Sequence, residues 1–436
     1  MAADDLIFAE ATAPGKAGVA VFRISGPGAA AVFDVLTGRP APPPRQARLR
    51  LLKDPRGGDP IDQALAIWFP APASFTGEDV VELHVHGGRA IAAALAEALT
   101  ASCGARPAEP GEFSRRAFRH GKMDLAEAEG LADLIDADSA AARRQALWQM
   151  SGGLSALYGR WREELVGILA LAEATLDFSD EPIPADLDAD IRERTAGLRA
   201  TLLEQLAGSS ISERLADGFR IVLTGAPNVG KSSLLNALAR RDAAIVTAIP
   251  GTTRDVLEVK LDLSGYPVSL YETAGLRASP DPIEAEGVRR ARLAAAEADL
   301  VVEVRTSAAA TPSGEASRGG GLVFWNKCDL HAPPPEAVGL RGSAQTGEGL
   351  AALESALTAA AKAAIEGGPA PAITRARHRA AVKQAAEALA RAEAAEAPEL
   401  MAEDLRSAMT ALGRVVGVVD VEDVLDRIFA AFCIGK

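Results

Sequence analysis

The chain has 436 residues, 48% of them hydrophobic and 24% charged, with a formal net charge of −13. This is a globular composition with room for about three domains. No apolar run approaches the roughly 18 residues of a membrane span. The excess of acid excludes a general nucleic-acid glue, because phosphate affinity comes from Lys and Arg. The opening MAADDLIFAE is acidic and lacks an apolar run, so no signal peptide is expected. Cys103, Cys328 and Cys433 are too few and too widely spaced for a disulfide framework or zinc ribbon, which fits a reduced, cytoplasmic protein.

The fold class expected is multidomain, α+β and α/β. Residues 1–118 read as mixed α and β: strands at Val19–Ser25 and Val80–His86, a proline-rich loop at Arg39–Arg45 and a helix at Ile91–Ala101. His84 and His86 share one face of the second strand, a spacing that can serve a metal, but no third ligand is evident. SRRAFRHGK, Ser114–Lys122, is a candidate basic patch for RNA; a solvated, charged helix end is the plainer alternative. Residues 119–216 turn helical. Leu154, Leu157, Tyr158, Trp161, Leu165, Ile168, Leu169 and Ala172 form one apolar stripe, and SDEPIPAD (Ser179–Asp186) ends that helix. From 217 to 370 short apolar runs (IVL, VSLY, LVVEV, GLVFW) alternate with helices, the rhythm of a parallel α/β sheet. Glu303 and Arg305 sit oddly in one of those strands and have no functional account. Residues 371–436 are helical again, with a stripe at Val382, Ala385, Ala386 and Leu389. A last stripe at Val421, Val424, Leu425 and Ile428 leaves FCIGK, Phe432–Lys436, at a helix end.

GAPNVGKS, Gly225–Ser232, fits G-x-x-x-x-G-K-S between a strand and a helix, the context of a P-loop. Its backbone N–H groups suit phosphate oxygens, Lys231 the β and γ phosphates, and Ser232 a Mg²⁺ ion. NKCD, Asn326–Asp329, follows a strand. Asp329 can accept both hydrogens of the guanine N1–H and amine edge, Asn326 the neighbouring edge, and Lys327 can cover the base. SAQTG, from Ser343, suits a backbone N–H on the guanine oxygen. GTTRD, from Gly251, lies where a switch loop belongs, with Thr253 placed to close on the γ phosphate and Mg²⁺. ETAG, Glu272–Gly275, carries Glu where DxxG is usual; the extra methylene keeps the charge and changes the reach. Leu276 follows, without a polar atom to orient water, so another group must help, and Glu284 is the candidate.

SFTGEDVVELHVHGG (Ser74–Gly88), EPGEFSRRAFRHGKMDLAEAEGLADLIDADS (Glu109–Ser139) and FCIGK closely resemble the MnmE (TrmE) family of tRNA-modification GTPases, and the likeness runs in order through essentially the whole chain. The resemblance implies an N-terminal folate-binding domain that dimerises, a central helical domain, and a Ras-like G domain inserted into it. It implies a homodimer in heterotetramer with an FAD-containing, NADH-using partner of the MnmG type, and tRNA as substrate. A formyl- or methylene-tetrahydrofolate would supply one carbon toward a carboxymethylaminomethyl or aminomethyl group on C5 of the wobble uridine. The family's folate contacts map to Arg23, Glu82, Lys122 and Lys436. Its K⁺ ligands map to Asn228, Thr247, Ile249 and Thr252, and its water-activating glutamate to Glu284. The GTP site then comprises Asn228, Val229, Gly230, Lys231, Ser232 and Ser233; Thr247, Ala248, Ile249, Pro250, Gly251, Thr252 and Thr253; Glu272, Thr273, Ala274 and Gly275; Asn326, Lys327 and Asp329; and Ser343 and Ala344.

Cys433 stands where a prenylation box would put it, but Gly435 is not aliphatic and Lys436 is not a usual last residue of such a box. The resemblance makes Cys433 a participant in the modification chemistry. The competing reading is a ribosome-assembly GTPase whose flanking domains bind RNA. It expects no folate binding and no need for Cys433.

Overall fold

The computed structural model describes residues 5–13, 15–177, 187–208, 211, 214, 218–241, 257–272, 298–307, 321–366, 373–417, 428, 429, 432 and 435. They divide into two compact units, residues 1–132 with 413–436, and residues 133–412.

The first unit is built on a six-stranded sheet. Its strands are β1 (Ile7–Glu10), β2 (Ala17–Ser25), β3 (Arg48–Lys53), β4 (Pro60–Phe69), β5 (Val80–Gly87) and β6 (Arg106–Pro107), in the order β3-β4-β5-β2-β1-β6. Only β1 and β6 pair in parallel; the other pairs are antiparallel. The strands at 19–25 and 80–86 are thus present, each slightly longer than expected. Side chains alternate across a strand. Ala20, Phe22, Ile24, Val81, Leu83 and Val85 point to one face and are buried in one core cluster with α1 (Ala31–Thr37) and α2 (Arg89–Cys103). Val21, Arg23, Glu82 and His84 point to the other face. Two further helices follow: α3 (Glu112–Arg119) and α4 (Leu125–Ile135). A capping box starts α4: Asp124 N–H donates to Glu127 Oε2 and Glu127 N–H to Asp124 Oδ1, both at 2.8 Å.

The second unit joins helices to a second sheet. Ser139 caps α5 (Ala140–Met150), accepting from Ala142 N–H at 3.1 Å. On α6 (Gly153–Asp177) the predicted stripe is buried, Leu157 only partly, with Tyr158 edge-on to Trp161 at 4.9 Å. The helix α7 (Leu187–Ala207) follows. The second sheet comprises β7 (Phe219–Thr224), β8 (Leu257–Leu263), β9 (Tyr266–Glu272), β10 (Leu300–Arg305), β11 (Leu322–Trp325) and β12 (Leu340–Arg341), in the order β12-β11-β10-β7-β9-β8. All pairs are parallel except β8 with β9. The four expected strands form its centre, and the antiparallel edge β8 and the short β12 complete it. Ile221, Leu223, Leu270, Val302, Val304 and Phe324 form its core with α8 (Lys231–Arg241) and α9 (Leu350–Glu366). Then come α10 (Ala376–Ala394), whose stripe Val382, Ala385, Ala386 and Leu389 is buried, and α11 (Pro398–Val416).

Candidate functional site

The P-loop joins β7 to α8, and its glycines are dictated by sterics. Gly225 has φ +138°, and a Cβ there would lie 2.3 Å from Val304 O; Gly230 has φ +94°, and a Cβ there would lie 2.5 Å from Asn326 Nδ2. No side chain fits either place. Asn228 also takes a left-handed φ of +64°, a conformation Asn tolerates better than most residues. Lys231 Nζ donates to Gly225 O at 3.0 Å and Ala226 O at 3.3 Å, inside the loop. Burial lowers its pKa, and the nearby Glu272 carboxylate opposes that shift.

The end of β11 closes onto this loop. Asn326 is 3% exposed. Its Nδ2 donates to Val229 O at 2.9 Å, and its Oδ1 accepts from Ala344 N–H at 2.9 Å. Lys327, at φ +60°, donates to Asn228 O at 2.7 Å. Ser343 Oγ accepts from the N–H groups of Gln345 and Thr346, each at 3.2 Å. P-loop, NKCD and SAQTG are therefore one bonded assembly, with Asn326 as its central tie. Asp329 lies exposed beyond them.

β9 ends at Glu272, next to Leu223 on β7. Ser232 Oγ donates to Glu272 Oε1 at 2.6 Å. Glu272 Oε2 is shut off from solvent with no partner among the described residues. An unsatisfied carboxylate oxygen beside a hydroxyl is a hard, all-oxygen donor set and fits Mg²⁺. Ser232 and Glu272 would hold the ion, which when bound offsets phosphate charge. Ser233, exposed, follows on α8. Thr247, Ala248, Ile249, Pro250, Gly251, Thr252, Thr253, Thr273, Ala274, Gly275, Leu276, Glu284, Cys433 and Lys436 lie outside the described residues.

Glu303 and Arg305 explain each other. They share a face of β10, and Arg305 Nε and Nη2 grip the two carboxylate oxygens of buried Glu303 at 2.8 and 2.7 Å. The guanidinium lies 6.0 Å from the centre of the Trp325 ring. A bidentate pair of this kind lets a strand bury a charge.

A second constellation lies on the open face of the first sheet. Arg23 and Glu82 are directly opposed on β2 and β5, and Arg23 Nε and Nη2 both donate to Glu82 Oε1, at 3.1 and 3.0 Å. The Arg23 guanidinium is flanked by Phe75 at 5.2 Å and Phe113 at 5.9 Å. Lys122 Nζ donates to Pro72 O at 2.9 Å, in the same loop as Phe75. His84 faces Glu82 at 3.5 Å, and His86 Nδ1 lies 2.9 Å from Asp62 Oδ1. Sequence reasoning missed Phe75 and Phe113; both lie in the quoted blocks SFTGEDVVELHVHGG and EPGEFSRRAFRHGK, but nothing in their spacing says what they face.

Packing divides the cationic run Ser114–Lys122. Arg116 is 7% exposed and locked in an ion network. Arg115 lies over the Phe429 ring at 5.7 Å, and Lys122 Nζ donates to Pro72 O. Packing takes up Arg115 and Arg116, while Arg119 stands exposed at the end of α3.

The last described residues return to this unit. Phe429 and Phe432 are buried with Ala128, against Phe118 and Met123. A Cβ on Gly111 would lie 2.4 Å from Phe429 O, and one on Gly435 2.8 Å from Glu10 O. Gly435 thereby abuts the end of β1, whose Ala9 and Glu10 pair with Arg23 and Phe22.

A parallel sheet that presents a P-loop tied through Asn326 to NKCD and SAQTG is that of a P-loop GTPase. The other unit narrows the class. Residues 6–122 match the family model for the GTP-binding protein TrmE N-terminus, and residues 125–433 that for the MnmE helical domain. The tRNA modification GTPase MnmE of Parvibaculum lavamentivorans is 53% identical over 438 residues, covering 99% of this chain and 100% of that protein. That of Rhodospirillum rubrum is 51% identical over 453 residues, with 99% of each covered. The G domain of the T. maritima FeoB iron transporter aligns with 33% of this chain and 98% of its own at 26% identity; its TM-score of 0.25 adds nothing to the assignment. The chain belongs to the MnmE family of tRNA modification GTPases.

Proposed function

We propose that this chain couples K⁺-dependent GTP hydrolysis to modification of tRNA. Acting as a cytoplasmic homodimer with an FAD-containing, NADH-using partner of the MnmG type, it would add a carboxymethylaminomethyl or aminomethyl group to C5 of the wobble uridine. A formyl- or methylene-tetrahydrofolate supplies the one-carbon unit. The observation that carries this reading is the return of Gly435 to the Arg23 sheet, against Glu10 and Ala11. It gives Cys433 and Lys436, either side of Gly435 in sequence, a reason to act with Arg23, Glu82 and Lys122.

The roles follow from charge. Arg23 and Lys122 suit folate carboxylates, and Glu82 suits the donor edge of a pterin. Phe75, partly exposed, suits a flat ring system, and Phe113, fully buried, backs the Arg23 guanidinium. Leu49, Leu51, Leu65 and Val19 stand exposed on the same open face, an apolar surface suited to a second copy. In the G domain, Lys231 and the loop N–H groups bind the triphosphate, while Ser232, Thr253 and Glu272 serve Mg²⁺. Asn228, Thr247, Ile249 and Thr252 would hold K⁺, which offsets charge developing on the transferred phosphoryl group, and Glu284 would orient the attacking water. The domains would run 1–118, 119–216, 217–370 and 371–436. Deleting the gene and weighing tRNA wobble nucleosides by mass spectrometry tests the whole. Unchanged uridines would reject it and favour the ribosome-assembly alternative.

A further inference from the structure

The first unit also holds a partly buried ion network that no part of the folate reading uses. Arg116, on α3, donates from Nη1 to Asp5 O at 2.8 Å and to Glu78 Oε2 at 3.1 Å. Its Nη2 donates to Asp5 Oδ1 at 2.6 Å and to Glu112 Oε1 at 3.1 Å. Arg106 brackets the same two acids, at 2.6 Å to Asp5 Oδ2 and 2.9 Å to Glu112 Oε2. Glu78 is the outlying member. It belongs to the loop between β4 and β5, and its Oε2 also accepts from Ser25 Oγ at 2.8 Å, while Ser25 Oγ lies 2.7 Å from Thr76 Oγ1. The side chains of Arg116 and Glu78 are each 8% exposed.

The placement of these links is more telling than their number. Phe113 precedes Arg116 by three residues, so both lie on one face of α3. Phe75 precedes Glu78 by three residues in the loop. Ser25 follows Arg23 by two on β2, on the same face. The Arg116–Glu78–Ser25 chain thus joins the three segments that carry Phe113, Phe75 and Arg23. Lys122 reaches Pro72 O in that loop as well. A core needing only burial would be served by apolar side chains of the same volume, and isolated buried ion pairs add little to stability.

We propose that Glu78 and Arg116 are positioning residues for the folate site: they fix the loop and helix whose rings flank the Arg23 guanidinium, and so preset it for a reduced pterin carrying carboxylates. This rests on the folate reading above. Preset geometry lowers the cost of ordering groups on binding. Lysine in place of Arg116 keeps the charge but cannot reach Glu78, Asp5 and Glu112 together. Alanine in place of Glu78 leaves Arg116 its other two acids, Asp5 at 2.6 Å and Glu112 at 3.1 Å.

The test is a double-mutant cycle on the full chain, with 5-formyltetrahydrofolate binding measured by calorimetry. Arg116→Lys and Glu78→Ala each weaken binding by about tenfold in the native background. In a background carrying Phe75→Leu and Phe113→Leu each costs less than about twofold further, because the rings they position are gone. A purely structural role would give the full loss in both backgrounds, and that additivity would overturn the proposal. So would native-like affinity in either variant. Should both variants melt early, Ser25→Ala cuts the same chain at its mildest link and must show the same background dependence. If the native protein itself fails to bind the folate, the folate reading falls and takes this inference with it.

Discussion

Asn326→Ala removes the tie between the P-loop and the two base-side loops. The side chain makes two hydrogen bonds of 2.9 Å, to Val229 O and from Ala344 N–H. Two neutral bonds contribute about 1 kcal/mol each. Val229 is buried, and its orphaned carbonyl adds about 1–2 kcal/mol of desolvation cost. The sum of about 3–4 kcal/mol corresponds to a nucleotide affinity roughly 140- to 700-fold weaker, if the bound state alone requires the tie. Binding of a fluorescent GDP analogue, followed by stopped-flow, gives both rates. The loss should fall mainly on dissociation, since the variant loosens a formed site. Asn326→Asp sharpens the test. It keeps the acceptor toward Ala344 but turns an oxygen toward Val229 O, so it should bind no better than the alanine variant. GDP affinity within threefold of native for Asn326→Ala would refute the reasoning.

Glu272→Asp shortens the carboxylate by one methylene and breaks its 2.6 Å contact with Ser232. The Mg²⁺ concentration for half-maximal GDP retention should shift severalfold, and an unchanged titration would make the substitution neutral. Gly111→Ala drives a Cβ to 2.4 Å from Phe429 O. It should release the last segment and reduce wobble-uridine modification in cells far more than GTP hydrolysis in vitro; equal losses would argue against a separable role for that segment. Burial alone would raise the Glu112 and Asp5 carboxyls, but Arg106 and Arg116 outweigh it and hold them below their ordinary 4.5 and 3.8. Their contribution is present above those values and lost as pH falls through the lower folded ones, so the N-terminal unit should melt earlier below about pH 4. Glu112→Gln should flatten that decline; an unaltered slope would contradict it. Burial pushes the Cys103 thiol up to about 11, so iodoacetamide at pH 8 should label it slowly by peptide mass spectrometry.

Much of this protein is local and therefore legible in one dimension. The P-loop is a run of eight residues whose glycines answer to backbone sterics, and the stripes of α6 and α10 follow from the helical repeat. Alternation along β5 puts His84 and His86 on one face of their strand. Pairings over long sequence separations were not legible, because periodicity says which face a residue occupies and not what it meets there. The sequence shows Glu303 and Arg305 as misplaced charges, and the sheet turns them into a pair stacked on Trp325. It shows Ser114–Lys122 as a cationic run, and packing draws Arg116 inward to acids 38 and 111 positions away. It shows FCIGK as the end of a helix, and only the tertiary fold, which buries Phe429 and Phe432, sets Gly435 against β1, the neighbour of the strand that carries Arg23.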